Sequence, residues 1–334
     1  MNQMTIEPTA QSGASFGGGG DTSLKRTGIY TPILLQTLAM IGIGALLYSS
    51  AADWFSALGH NSEVSGYVNE VAQLPEETRL DSLRVAQEYN KHMPMGVLRD
   101  PYSSTGIDAD LADDSAYQAY LDVLRVSDNG VIGEVSYPQL GISLPVYHGT
   151  SDEVLSRGVG HLYGSSLPIG GPSTHSVMTS HSGLINASLF TELPKAEIGD
   201  TFTVTVLGEK HHYEVRGLET VLPEQTESLR ITDGEDWVTL ITCTPIGVNS
   251  HRLLVQAERI PTPSGESGYA VAGDARRAGL PWWALIFLAG SAGSAYLIFA
   301  PPRRLAATPN SSHDHTTHQA SGHPVTGTTG EARS

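Results

Sequence analysis

The amino-acid sequence predicts a mainly β fold: an eight-stranded β-barrel with short helices, preceded by N-terminal helices and a lid, and flanked by two transmembrane helices. Three observations predict it. Short β-branched runs separated by turn residues fill residues 120–262. Two long, predominantly apolar stretches carry no charged residue, one near each end of the chain. Between the first of these and the β region, apolar residues recur at helical spacing.

The first uncharged stretch runs from Thr27 to Ala52 and the second from Ala278 to Pro302. At about 1.5 Å per residue, either exceeds the roughly 30 Å hydrocarbon core of a bilayer, and Trp282, Trp283 and Tyr296 suit its interfaces. The predicted spans are residues 29–52 and 280–300. Lys25 and Arg26 precede the first span and no basic residue closely follows it, which keeps the N-terminus in the cytoplasm. A second crossing returns the C-terminus to the same side, so the region between the spans is extracytoplasmic. Arg276 and Arg277 outside the second span balance Arg303 and Arg304 inside it, so the first span sets the topology. A competing reading makes the first stretch a cleavable signal peptide, with Ser49 to Ala52 as the cleavage zone. Both readings leave the central region outside.

Residues 1–28, with Gly17 to Gly20 in a row, read as a disordered cytoplasmic tail. Residues 53–96 hold two membrane-proximal helices. Val64, Tyr67, Val68, Val71 and Leu74 define the first, and Pro75 opens a second that runs to about Lys91. Residues 97–119 form the lid loop and its connection, too long for an ordinary linker. The predicted strands are Val123–Val126, Val131–Val135, Ile142–Tyr147, Ser176–Thr179, Phe202–Leu207, Tyr213–Leu218, Trp237–Thr242 and Arg252–Ala257. Ser127-Asp-Asn-Gly130 signals a hairpin between the first two. Thr150-Ser-Asp-Glu153 is a capping box for a short helix ending at Gly158, and Ala187–Leu193 reads as another helix. Residues 263–279 are a linker. Residues 301–334 are a cytoplasmic tail whose His313, His315, His318 and His323 lack preorganised geometry for a metal.

The 334 residues carry a formal charge of −16, which leaves nothing to neutralise a phosphate ladder and excludes nucleic acid as a partner. Cys243 is the only cysteine, so intrachain disulfides and cysteine-based metal sites are excluded. An extracytoplasmic thiol is exposed to oxidation and calls for a reason. Cys243 ends one predicted strand, Thr244 to Ser250 form a turn-rich loop, and Arg252 begins the next strand. Pairing of those strands sets a thiol beside a guanidinium. A fixed cation favours the thiolate nucleophile and stabilises an oxyanion during acyl transfer. Such a nucleophile also needs a proton donor. Among the histidines His181 stands out, ending an apolar strand before Ser182-Gly183; His251 is the runner-up, facing the opposite side from Arg252. The plain alternative is a buried cysteine and a surface histidine.

Thr239-Leu-Ile-Thr-Cys-Thr-Pro-Ile-Gly-Val-Asn-Ser-His-Arg-Leu-Leu-Val255 resembles the active-site segment of sortases, transpeptidases of Gram-positive cell surfaces. Leu144-Pro-Val-Tyr-His-Gly-Thr150, Gly158-Val-Gly-His-Leu162, His175 through Gly183, Leu189 through Leu193 and Ile198-Gly-Asp200 match in order, over roughly residues 121–260. Asp100-Pro101-Tyr102 is similar to the lid of the class C, pilin-polymerising sortases, and the second span agrees with that class.

The resemblance implies Cys243 as nucleophile, His181 as general acid and base, and Arg252 as the oxyanion or substrate-positioning group. It also implies that Asp100 contacts Arg252 and that Tyr102 covers Cys243 when the lid is closed. The implied substrates are LPxTG-bearing pilin subunits and surface proteins, cleaved between Thr and Gly, with the acyl group passed to a pilin lysine amine. No metal or organic cofactor is implied, and the bilayer lipid is a further partner. Ser180, Ser182 and Ile246 depart from the family pattern beside the triad. Three alternatives stay open: an extracytoplasmic cysteine protease, a housekeeping-type sortase attaching proteins to the cell wall, and a non-catalytic binding module.

Overall fold

The computed structural model describes residues 27–93, 98–102, 111, 114–266, 268–269 and 279–300. The N-terminal tail, much of the lid loop, most of the linker and the histidine-containing tail lie outside these residues.

Helix α1 spans Thr27–Gln73. The first predicted membrane-proximal helix is therefore not separate: it continues the span, because no proline interrupts the chain between Pro32 and Pro75. Pro75 precedes helix α2, Glu76–His92. The apolar stripe of α1 lies on the barrel, with Val64, Tyr67, Val68 and Val71 buried. The Tyr67 hydroxyl donates to the Ile132 carbonyl at 2.9 Å and accepts from the Leu207 N–H at 2.7 Å. A second tie joins α1 to the barrel through Glu63, which accepts hydrogen bonds from Tyr147 and, at 3.2 Å, from Arg157.

Eight strands close a barrel in the order β1-β2-β3-β4-β7-β8-β6-β5. They are β1 Val131–Tyr137, β2 Ile142–His148, β3 Val159–His161, β4 Thr174–Thr179, β5 Thr201–Val206, β6 Glu209–Val221, β7 Asp236–Thr244 and β8 His251–Ile260. The β2/β3 and β4/β7 pairs are parallel and the others antiparallel. Inside, Tyr137, Phe202 and Tyr213 stack with ring centroids 5.4 and 5.9 Å apart.

The count of eight holds with one member exchanged. Val123–Val126 is not a strand: Val123 caps helix α3, Ser115–Asp122, and Leu124 adopts a positive φ of 63° that breaks extended structure. Both side chains are nevertheless buried, which is why the run is apolar. The predicted hairpin accordingly does not form, and β1 pairs with β2 and β5. The eighth strand is the three-residue β3, too short to show a period. Helix α4, Asp152–Arg157, forms as expected, but its cap is Ser151, whose hydroxyl accepts from the Val154 N–H. Ala187–Leu193 is a chain of turns instead of a helix, with Leu189 at φ 41° and a 3-10 turn at Leu193–Lys195.

Helix α5, Trp282–Phe299, packs on the N-terminal half of α1. Both helices are apolar and long enough to cross a membrane. Gln36 bonds the Ser291 carbonyl at 3.1 Å and the Ser294 hydroxyl at 3.0 Å, satisfying its amide between the two.

Candidate active site

Strands β7 and β8 pair with Cys243 directly opposite Arg252 and Thr244 opposite His251. The third participant comes from β4, which pairs with β7 at Thr179↔Ile241. His181 lies two residues beyond Thr179, as Cys243 lies two beyond Ile241, so both reach the same rim. The junction is held by backbone and hydroxyl contacts. Ser180 donates its N–H to Ile241 at 3.3 Å, Thr242 donates to the Ser180 carbonyl at 3.0 Å, and Ser182 donates to the Cys243 carbonyl at 2.8 Å.

Asp100 and Tyr102 close over this rim. The Asp100 carboxylate accepts from Nε and Nη2 of Arg252 at 2.7 Å each, a fork geometry available to arginine and not to lysine. Nη1 donates to the Asn249 and His251 carbonyls at 2.9 and 3.1 Å. All three guanidinium nitrogens are therefore engaged. The same guanidinium sits 4.9 Å from the centroid of the Tyr102 ring. The Tyr102 hydroxyl donates to the Ser180 carbonyl at 2.6 Å and accepts from Thr179 at 2.6 Å, and its ring centroid lies 5.8 Å from that of His181. Pro101 between them is buried.

The closed arrangement works against ionisation of the thiol. Burial pushes Cys243 above its ordinary value; Arg252 opposes this and Asp100 adds to it. Burial also lowers His181, against the pull of Asp152, whose Oδ1 stands 3.9 Å from Nε2. Thiolate and imidazolium are both disfavoured beneath the lid.

The runner-up His251 bonds to Ser250 and pairs with Thr244, one position away from the thiol. The buried His175 is held by Thr239 at 2.7 Å and the Arg230 carbonyl at 3.0 Å. Asp152 was not found from sequence: the capping box marks its helix, but spacing carries no sign that the helix start meets His181. Ile246 packs on Gly183, where a Cβ would lie 2.4 Å from its Cγ2.

The Sortase domain profile matches residues 135–260. Over a wider span, the chain is 46% identical to sortase C-1 from Actinomyces oris, covering 56% of this chain and 99% of that one, with a TM-score of 0.53. The chain belongs to the sortase family. A pilus-related sortase C of Group B Streptococcus is 39% identical, covering 59% of this chain and 96% of that one, with a TM-score of 0.52. Both of these solved relatives are class C sortases. Sortase A of Streptococcus agalactiae serotype III (strain NEM316) is 30% identical over 131 residues, 38% of this chain and 52% of that protein. The chain spans about half to three-fifths of the length of the curated relatives it matches. The residues matched by the Sortase domain, 135–260, lie within the barrel from β1 to β8.

Proposed function

We propose that this protein is a membrane-anchored class C sortase, a cysteine transpeptidase that cleaves LPxTG-like sorting signals between Thr and Gly and joins the acyl group to a pilin lysine, building covalent pili. The observation that carries the reading is Cys243 facing Arg252 across paired strands, with Asp100 forked onto that arginine. The similarity to a pilus-related sortase supports the class.

In this mechanism the Cys243 thiolate attacks the threonine carbonyl carbon, and Arg252 faces the resulting oxyanion. The carbon–nitrogen bond breaks as His181 gives its proton to the departing glycine amine, leaving a thioester. A lysine amine then attacks the thioester, His181 takes the amine proton, and Cys243 leaves as thiolate with a new amide formed. Because Asp100 occupies the Nε and Nη2 edge of Arg252 in the closed state, that edge meets an oxyanion only after Asp100 withdraws. The lid in its closed position is thus a resting state, and its opening precedes acylation.

Two apolar helices support anchoring, and the basic residues before the first support an extracytoplasmic barrel with both termini in the cytoplasm. A housekeeping-type sortase is the second reading, favoured by the sortase A relatives. The test incubates the full chain in detergent with an LPxTG peptide and either a lysine-bearing pilin or a cell-wall-type amine. A pilin amide that disappears in Cys243→Ala supports the proposal. Transfer only to the wall amine supports the second reading, free acid alone a protease, and tight binding without reaction a binding module.

A further inference from the structure

Among the described residues, Asp152 is the charged side chain within 4 Å of the His181 ring. The other groups around that imidazole are the neutral Tyr102 ring on the lid side and the Cys243 thiol on the shared rim. Arg252 and Asp100, beyond Tyr102, neutralise each other.

Asp152 sits at this distance because α4 is fastened at both ends. At its start, Ser151 caps the Val154 N–H. At its end, Arg157 bonds Glu63 of α1 and lies 4.8 Å from the centroid of the Tyr147 ring. The Gly158 carbonyl then accepts from the Ser180 hydroxyl at 2.5 Å, tying the helix to the residue before His181. Helix α4 also packs closely on β3, where a Cβ on Gly160 would meet the Leu155 side chain at 2.9 Å. The carboxylate itself is fully exposed and accepts no hydrogen bond from His181 at this distance.

We infer that Asp152 is a positioning residue: its carboxylate holds the charged form of His181 at the rim, raising the fraction of protein that carries thiolate and imidazolium together. The inference rests on the proposed reaction. Burial disfavours both ions of the catalytic pair, so the ion pair is a minority form between two titrations. In that regime the plateau of the pH–rate profile is set by the separation of the two limbs. Loss of Asp152 therefore moves the acid limb to lower pH and lowers the plateau by the same factor, while the rates converge below the acid limb.

The experiment measures Cys243-dependent peptide turnover against pH for the full chain in detergent, for wild type, Asp152→Asn and Asp152→Glu. The Asn variant is expected to lose about threefold at the plateau, the scale of one exposed charge at this distance, with its acid limb displaced downward. Glu restores most of the loss, and high salt shrinks the difference because the carboxylate is exposed. An unchanged profile overturns the role. So does a uniform loss with both limbs fixed, which marks a structural effect, and so does a raised KM for the amine alone, which marks acceptor capture. If the wild-type chain has no Cys243-dependent turnover, the functional reading fails and takes this inference with it. An active wild type with an indifferent Asp152 refutes Asp152 alone.

Discussion

Asp100 and Arg252 meet through two parallel 2.7 Å hydrogen bonds although 152 positions separate them in the chain. Their side chains are 12% and 9% exposed, so water weakens this pair far less than it weakens a surface ion pair. In the proposed reaction, this bond to the residue opposite Cys243 couples access to chemistry. While the fork is made, Arg252 is occupied and Cys243 is buried.

Asp100→Asn removes the charge from that fork and is expected to open the lid. Charge-assisted hydrogen bonds are worth about 1.5–3 kcal/mol, so the open fraction should rise about tenfold or more. Iodoacetamide labelling reads this directly, because Cys243 is the only thiol in the chain. Alkylation at fixed pH should accelerate by that factor, and turnover of a small peptide should rise with it. A labelling rate equal to wild type would mean that the lid does not gate access.

Arg252→Lys separates the two duties of the guanidinium. Lysine cannot grip both carboxylate oxygens in a fork, so the lid loosens and alkylation speeds up. The same change withdraws planar donors from the carbon–oxygen bond under attack, at a cost of about a hundredfold in turnover. Opposite signs in the two assays are the expected signature. Parallel losses in both would point to a distorted rim instead.

The placement of Cys243 against Arg252 was legible because it depends on counting: two strands joined by a short loop bring their ends together. His181 was legible for a related reason, since it ends an apolar run at the same rim. Sequence and structure part where local composition and tertiary role diverge. Val123 and Leu124 are apolar because they are buried, yet Leu124's left-handed backbone precludes a strand. Strand β3 has three residues and no period to detect. The break expected between the span and the first membrane-proximal helix has no proline behind it, and α1 runs through Gly59. Asp152 was invisible because its contact with His181 is made by the docking of α4, which no local pattern encodes. Asp100 and Tyr102 were placed by family resemblance, since a loop's own residues do not say where it closes.

Gly183 tests how tightly the residues after His181 are fitted. Its φ is +73°, and an added Cβ would lie 2.4 Å from Ile246 Cγ2. Gly183→Ala therefore meets both backbone strain and a clash, together worth about 1–3 kcal/mol. Displacing a neighbour of His181 by a fraction of an ångström is expected to reduce turnover about tenfold. Adding Ile246→Ala removes the clash but not the strain, so part of the lost activity and melting temperature should return. No recovery would show that Ile246 is not the obstacle.

Acid stability follows from three histidines that the proposed chemistry does not use. Burial is the largest cause in each case, holding His148 and His211 at about 3 and His161 at about 4. An unfolded histidine titrates near 6.5. Between these values the unfolded chain binds protons that the folded chain refuses, so stability is fully present above pH 6.5 and declines as the pH falls toward 4 and then 3. His211 and His161 should separate when replaced. Among the described residues, neither ring nitrogen of His211 has a hydrogen-bond partner, so His211→Phe should leave the melting temperature at pH 7 unchanged or higher and flatten its acid slope. His161 contacts the Tyr120 hydroxyl at 2.9 Å and the Ser166 carbonyl at 2.8 Å. His161→Phe strands the Ser166 carbonyl, while the Tyr120 hydroxyl keeps the His161 carbonyl and the Gly149 N–H, and should cost about 1–3 kcal/mol at neutral pH. Melting curves of the two variants between pH 4 and 8 distinguish the cases: both should show a flatter acid slope, and an equal change at pH 7 would contradict the assignment of the neutral-pH cost to the lost hydrogen bond of His161.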